Sequence, residues 1–295
     1  MLEMKTKLCV LEDFPSVESS LIALNISKSQ IKKTKFPKKF LEKKIGCKNE
    51  LEIPLNLLNQ GIINPVYSGP KIEVLFEDNE IICINKPPKI HSHSIYYDKQ
   101  NNVLSFLREY LYLKKTNFCF DRKYEGGLLY RLDFETSGVL FFSKTKEKYL
   151  EIRKNFQKLA KSKEYICIVQ GKFDKPGIHK HHLSAFGPRK SKVRVEENGE
   201  LGQAVMETSV LDYNPSLNLT LLKIKLFSGI RHQIRAQLSF LGYPILGDKL
   251  YGGSPEERCF LHAYKYSILI GEKNYQIESK KGFLFDRFFD LNSIF

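Results

Sequence analysis

Three short stretches of the chain carry more charge, hydroxyl and glycine than a packed core selects. The first is Tyr130 to Gly138, YRLDFETSG, between the pair Gly126-Gly127 and the apolar run GVLFFS. Arg131 and Asp133 stand two apart, which on an extended segment turns both side chains to one side. Asp133 then has a guanidinium beside it and stays ionised and oriented, as a nucleophile or general base requires. The same pair equally suits a surface loop cap. The second stretch, Phe227 to Gln237, FSGIRHQIRAQ, reads as a Ser-Gly turn feeding a helix in which Arg231 and Arg235 are one turn apart on a shared face. Two arginines there fit phosphate binding or a carboxylate across a cleft, and also fit a solvated charged face. The third, Gly242 to Gly253, GYPILGDKLYGG, carries Asp248 and Tyr251. It lacks the glycine and lysine spacing of a nucleotide-binding loop, and structural turns account for it.

These stretches need a frame. Lys71 to Ile84 alternates apolar and polar residues and breaks at EDNE, which predicts two strands around a turn, the second ended by Lys86-Pro87-Pro88. Apolar residues at 103, 104, 107, 110 and 111 predict a helix over Val103 to Lys114. Further strands are expected at Gly138–Ser143, Glu164–Gln170, around Val193, and at Ala204–Tyr213, Leu217–Phe227 and Leu261–Ile270. Helices are expected at Lys146–Lys161 and Ile230–Phe240, the latter ended by Gly242 and Pro244. Strands outnumber helices and do not alternate regularly with them, as a doubly wound parallel sheet requires. The expected class is α+β: a mixed, mostly antiparallel sheet, flanked by helices, forming the floor of a basic cleft.

Charge narrows the partner. The 295 residues hold 47 Lys and Arg against 33 Asp and Glu, a net charge of +14. Nine lysines between Lys28 and Lys48 face the single acid Glu42, a net of +8 that is more than half of the excess. Apolar residues Ile31, Phe36, Phe40, Leu41 and Ile45 punctuate this segment. It reads as a short helical or mixed element with its lysines outward, or as a partly disordered basic arm. Pro54, Gly61, Pro65, Gly69 and Pro70 mark a connector, so the basic segment is expected over 1–69 and the main domain over 70–295. An excess of this size points to an anionic partner, most often nucleic acid. No run approaches the roughly 18 apolar residues of a membrane helix, and no secretory leader is visible, so a soluble, cytoplasmic protein is expected. The six cysteines stand alone, and histidines 91, 93, 179, 181, 182 and 262 lack acids or cysteines at ligand spacing. No metal site is expected, and the histidines read as loop and groove residues.

Taken in order, the motifs resemble the RluA-type RNA pseudouridine synthases. YRLDFETSG is similar to their HRLDxxTSG, and FSGIRHQIRAQLSFLGYPILGDKLYGG to TGRxHQIRxHxxxxGxPxxGDxxYG. INKPPKIHSHS at 84–94, KEYICIVQG at 163–171 and LHAYKYSI at 261–268 match the family in sequence order, so the likeness covers about residues 71–275. It implies isomerisation of uridine in ribosomal or transfer RNA without metal or cofactor. With the excess charge divided between the lysine-rich segment and the inferred site, RNA is expected as the partner rather than DNA or membrane, and a monomer is the default expectation. The resemblance implies catalytic roles for Asp133, Tyr165 and Arg235, with Tyr165 stacking on the uracil and Arg235 pairing with the aspartate. Arg131, Arg231, His232, Gln233 and Lys86 are implied to bind substrate. Four positions depart from the motifs: Tyr130 for the first histidine, Ile230 for the TGR arginine, Gln237 for the last histidine of HQIRxH and Pro88 for the glycine after Lys-Pro. LNISKSQIKK at 24–33 resembles the start of an S4-like RNA-binding module. The departures leave room for a second reading, an RNA-binding or ribosome-assembly factor that keeps the fold without the chemistry. A methyltransferase is disfavoured, since no glycine-rich cofactor loop follows a first strand.

Overall fold

In a computed structural model of the protein, the described residues are 5–10, 13–24, 26–54, 57, 67–93, 101–114, 122–279 and 285–294. Gly61 and Pro65 of the expected connector, Ser94 and Cys119 lie outside them. Two compact units are present: one of residues 1–69 with 93–116 and 120–125, the other of 70–92, 117–119 and 126–295.

In the first unit β1 (Lys5–Cys9) pairs antiparallel with β2 (Glu50–Pro54), and helices α1 (Val17–Ala23), α2 (Lys28–Lys33) and α3 (Lys38–Leu41) lie between them in sequence. Ser16 and Ser27 start α1 and α2 with reciprocal capping boxes, satisfying backbone N–H groups that a short helix otherwise leaves open. Val17, Leu21 and Ile31 then bury against Val10, Ile26, Ile45, Leu51 and Ile53, while all nine lysines of 28–48 are exposed. The basic stretch is thus part of a folded element with a core of its own. Helix α4 (Val103–Leu113) also belongs to this unit.

The second unit is a mixed sheet. Its strands are β3 (Glu73–Glu77), β4 (Ile81–Lys86), β5 (Ser137–Ser143), β6 (Ala160–Gln170), β7 (Gly177–Phe186), β8 (Lys192–Val195), β9 (Gln203–Asn214), β10 (Leu219–Leu226), β11 (Leu261–Ile270) and β12 (Lys273–Glu278). They run in the order β3-β4-β5-β11-β6-β10-β9-β7-β8, with β12 also on β11. Every neighbouring pair is antiparallel except β5 and β11. β4 and β5 are buried along their whole length, matching their near-continuous apolar sequence, whereas β9 alternates. Asp78 shapes the β3–β4 turn by accepting the N–H groups of Glu80 and Ile81 through its side chain at 2.9 and 2.8 Å.

Beyond shifts of one or two residues at element ends, three features differ from the sequence reading. Helix α5 spans Lys146–Leu159, capped by Thr145, and the chain enters β6 directly at Ala160 because residues 160–163 already pair with β11. Helix α6 spans Gln233–Phe240 and starts three residues late, since His232 sits in the left-handed region (φ 56°). His179, His181 and His182 lie on β7, paired with β9, rather than in a loop.

The parallel crossing of β5 and β11 leaves no room for a side chain at Gly138. A Cβ on Gly138 would stand 2.3 Å from the carbonyl oxygen of Ala263, and its φ is +116°. Gly202, at φ +88°, has open space instead. Gly138→Ala is therefore expected to lower unfolding free energy by about 3 kcal/mol, combining strain with overpacking, and Gly202→Ala by about 1 kcal/mol from strain alone. Urea denaturation of both variants checks this; equal losses would remove the close crossing as the cause.

Candidate active site

Asp133 opens the turn leading into β5, its carbonyl oxygen accepting the N–H of Thr136 at 3.1 Å. The segment after β4 clasps this turn. Ser92 Oγ accepts from the N–H of Leu132 at 3.2 Å and donates to its carbonyl at 2.9 Å. The carbonyl of Phe134 accepts from the N–H of Lys89 at 2.8 Å and from Lys86 Nζ at 3.3 Å. Lys86 is fully buried and also donates to the carbonyls of Ile90 (2.8 Å) and Pro87 (3.0 Å). Burial pushes its ammonium group down to about 7, against the pull of the Asp133 charge and with help from Arg258.

The guanidinium beside Asp133 comes from 102 residues away. Arg235 Nη1 stands 3.3 Å from Asp133 Oδ2, while Arg235 Nε and Nη2 form two 2.7 Å bonds to the carboxylate of Asp248. Side-chain exposure is 5% for Arg235, 1% for Asp248 and 21% for Asp133. Burial alone would lower the Arg235 pKa, but the hydrogen bonds and charge of Asp248, with Asp133 beyond, raise it above its ordinary value. The ring of Tyr251 lies under the guanidinium at 5.1 Å. Gly247 and Gly253 make the Asp248 turn feasible: a Cβ on either would meet a backbone carbonyl oxygen within 2 Å, that of Arg258 at 1.7 Å or of Ile245 at 1.9 Å.

The other expected residues divide. Tyr165 on β6 is buried, its hydroxyl 3.4 Å from that of Tyr266. Burial pushes its hydroxyl up to about 12, opposed by the Tyr266 hydrogen bond and reinforced by the Asp133 charge, so it is a neutral phenol at neutral pH. His232 Nε2 lies 3.8 Å from Asp133 Oδ2. Arg131 is exposed and makes no ion pair with Asp133; the spacing of two does not carry over because Asp133 heads a turn. Arg231 precedes α6 and donates to the carbonyls of Lys190 and Lys192. Gln233 is buried, accepting from Ser228 Oγ (2.9 Å) and the N–H of Ile230 (3.2 Å) and donating to the carbonyl of Val205. Gln233 and Lys86 thus brace the two loops from inside. Asp248 and Tyr251 lie in the stretch that the sequence assigns to structural turns, and Tyr266 has no local signal beyond the LHAYKYSI string. Among the described residues no three His, Cys, Asp or Glu side chains gather to hold a metal ion.

Residues 80–240 match the family model described as RNA pseudouridylate synthase. The chain belongs to that family. Within it, the chain is 30% identical over 220 residues to ribosomal large subunit pseudouridine synthase D of Borreliella burgdorferi, covering 71% of this chain and 64% of that protein. An uncharacterised RNA pseudouridine synthase of Bacillus subtilis is 32% identical over 198 residues, covering 66% and 63%. The match therefore spans under two thirds of the length of either relative. The solved structure of human RNA pseudouridylate synthase domain containing 1 shares the fold, with a TM-score of 0.57 at 18% identity over 72% of this chain and 85% of that one.

The departures from the pseudouridine synthase motifs have local explanations. Tyr130 is buried, stacks on Tyr266 at 4.3 Å with rings 7° apart, and donates to the carbonyl of Val139 at 2.8 Å. Ile230 packs onto the cluster of Leu183, Val193, Ala204 and Ala236. Gln237 is buried against His181 Nδ1 at 2.9 Å. With proline at 88, the left-handed residue of the turn is Lys89 (φ 60°).

Lys86 gives the site a pH signature. An unfolded lysine keeps its proton to about pH 10.4, while the folded value is about 7. Between these values the unfolded chain binds the extra proton, so this group makes stability rise with pH, by up to about 1.4 kcal/mol per unit. Urea midpoints at pH 7 and pH 9 are expected to show a larger gain for the unsubstituted protein than for Lys86→Met, a comparison in which the buried thiols titrate alike. Equal gains would mean that Lys86 keeps its proton.

Proposed function

We propose that this protein converts uridine to pseudouridine in structured RNA, with Asp133 as the catalytic carboxylate. The observation that carries the reading is the meeting of two motif residues far apart in sequence, Asp133 and Arg235, at 3.3 Å within a chain of this family. The reaction is an isomerisation. The bond from C1′ to N1 breaks, the uracil turns while held, and C5 bonds to C1′; C5 gives up a proton and N1 ends with one. No electrons are gained or lost, so neither a redox cofactor nor a metal is required by the balance. A carboxylate starts the sequence either by attack on the sugar or base or by taking the C2′ proton. Asp133 suits both, being anchored on one side by Arg235 and partly exposed on the other.

The target base must leave its stack, which costs a few kcal/mol and is cheapest in loops. On this reading Tyr165, a buried neutral phenol that feels the Asp133 charge, stacks on that base, which returns about 1–3 kcal/mol. The similarity to a ribosomal large subunit enzyme favours ribosomal RNA, with transfer RNA as the other candidate, and a cytoplasmic location is part of this reading. The exposed lysines of 28–48 act as a grip on RNA phosphates, whose neutralisation releases counterions.

The test is release of tritium from RNA labelled at uridine C5. Asp133→Asn is expected to abolish release while RNA binding stays within about threefold, because the lost group stabilises the transition state rather than the complex. Changing Lys28, Lys32, Lys39 and Lys43 to Gln is expected to raise KM and flatten its salt dependence at constant kcat. Turnover retained by Asp133→Asn would remove Asp133 from its role, and no release by the unsubstituted protein from any RNA would favour a binding factor.

A further inference from the structure

We propose that His232 and Tyr251 are positioning residues that decide which oxygen of Asp133 acts on the nucleotide: Oδ2 is held and Oδ1 is the reactive oxygen. The inference rests on the synthase reading and deepens it. Both donors near Asp133 converge on one atom, Arg235 Nη1 at 3.3 Å and His232 Nε2 at 3.8 Å from Oδ2. Among the described residues no hydrogen bond reaches Oδ1. An oxygen that accepts from one donor and faces a second is the held one; its neighbour keeps its lone pairs for a proton or a carbon centre.

His232 can do this only if its ring is fixed, and three contacts fix it. Its backbone is left-handed (φ 56°, ψ 15°) at the start of α6. Its Nδ1 lies 2.9 Å from the hydroxyl of Tyr251, which accepts the N–H of Val193 at 3.0 Å. The ring of Tyr251 packs against Arg235 in turn. The carboxylate selects the tautomer. A nitrogen lone pair aimed at Asp133 would be repelled, so Nε2 carries the hydrogen and Nδ1 accepts from Tyr251 O–H. Burial lowers the pKa of His232, against the pull of Asp133 and with help from Arg235 and Arg231, and the ring stays a neutral donor at neutral pH. At 3.8 Å the two atoms stand just beyond hydrogen-bond length, and the proposal has this spacing close when a nucleotide completes the site. A relay from Val193 N–H through Tyr251 and His232 thus ends on Oδ2.

Two measurements on the full chain test this. The first is the 15N shift pattern of the His232 imidazole, expected to show the Nε2–H tautomer in the unsubstituted protein and a mixture in Tyr251→Phe. The second is tritium release from in vitro transcribed large-subunit ribosomal RNA. His232→Asn tolerates the left-handed backbone and still meets Tyr251, but its amide is too short to reach Asp133. It is expected to lower kcat on the order of 10- to 100-fold with KM within about twofold, the pattern of a misplaced reacting group. His232→Gln, which restores a donor near the Nε2 position, is expected to recover at least about fivefold of that loss. An Nδ1–H tautomer in the unsubstituted protein overturns the proposal. So does a rise in KM at unchanged kcat, which would make His232 a nucleotide contact, and so does His232→Gln no more active than His232→Asn. If the unsubstituted protein releases no tritium from any RNA, the synthase reading fails and the tautomer alone decides the relay.

Discussion

The arrangement of the site depends on one buried ion pair. Arg235 and Asp248 face each other through two short hydrogen bonds with almost no solvent contact, a geometry in which the guanidinium fork matches both carboxylate oxygens. Taking either charge out of water alone would cost several kcal/mol, so each is stable only because the other is there. The pair nearly cancels, yet Arg235 keeps the N–H groups of Nη1 outside it, and Nη1 donates to Asp133. A partly exposed carboxylate is thereby tied to an element that cannot move without breaking a buried pair. The cost of building this falls on the backbone: Gly247 and Gly253 let the Asp248 turn close, and Gly138 lets β5 pass β11.

Around this pair the polar side chains serve shape more than contact. Ser92, Lys86 and the N–H of Lys89 hold the Asp133 turn through backbone groups of Leu132 and Phe134. Gln233 does the same for the Ser-Gly turn ahead of α6, where Arg231 reaches the carbonyls of Lys190 and Lys192. Residues of a motif are thus divided between the proposed reacting group and its braces. That division explains how Tyr130, Ile230, Gln237 and Pro88 can depart from the family pattern: each sits in packing or turn geometry and none replaces Asp133, Arg235 or Tyr165.

The strands were legible where apolar residues run continuously or alternate, as in β4, β5, β10 and β11, because burial of one or both faces imposes that pattern directly. β7 was not. Its three histidines and one lysine, IHKHH, show no apolar period, and it is a strand because β9 offers it a ladder. The start of α6 was misplaced because nothing in the HQIR string announces a left-handed residue. The pairing of Asp133 went astray for a related reason. A period of two belongs to extended chain, and Asp133 heads a turn, so Arg131 points elsewhere and the partner lies 102 residues on. Only the family resemblance carried that long-range pairing, and the same resemblance placed Asp248 within a motif without saying what it holds.

The central claim is that one forked guanidinium serves two carboxylates at once. Arg235→Lys keeps the positive charge and removes the fork, since a single ammonium cannot make the paired bonds to Asp248 and still reach Asp133. The account predicts that this variant folds with reduced stability and releases tritium from C5-labelled uridine in RNA at least about 100-fold more slowly than the unsubstituted protein. Release within a few-fold of the original rate would contradict it, for then charge alone would suffice and the geometry described here would not be what orients Asp133.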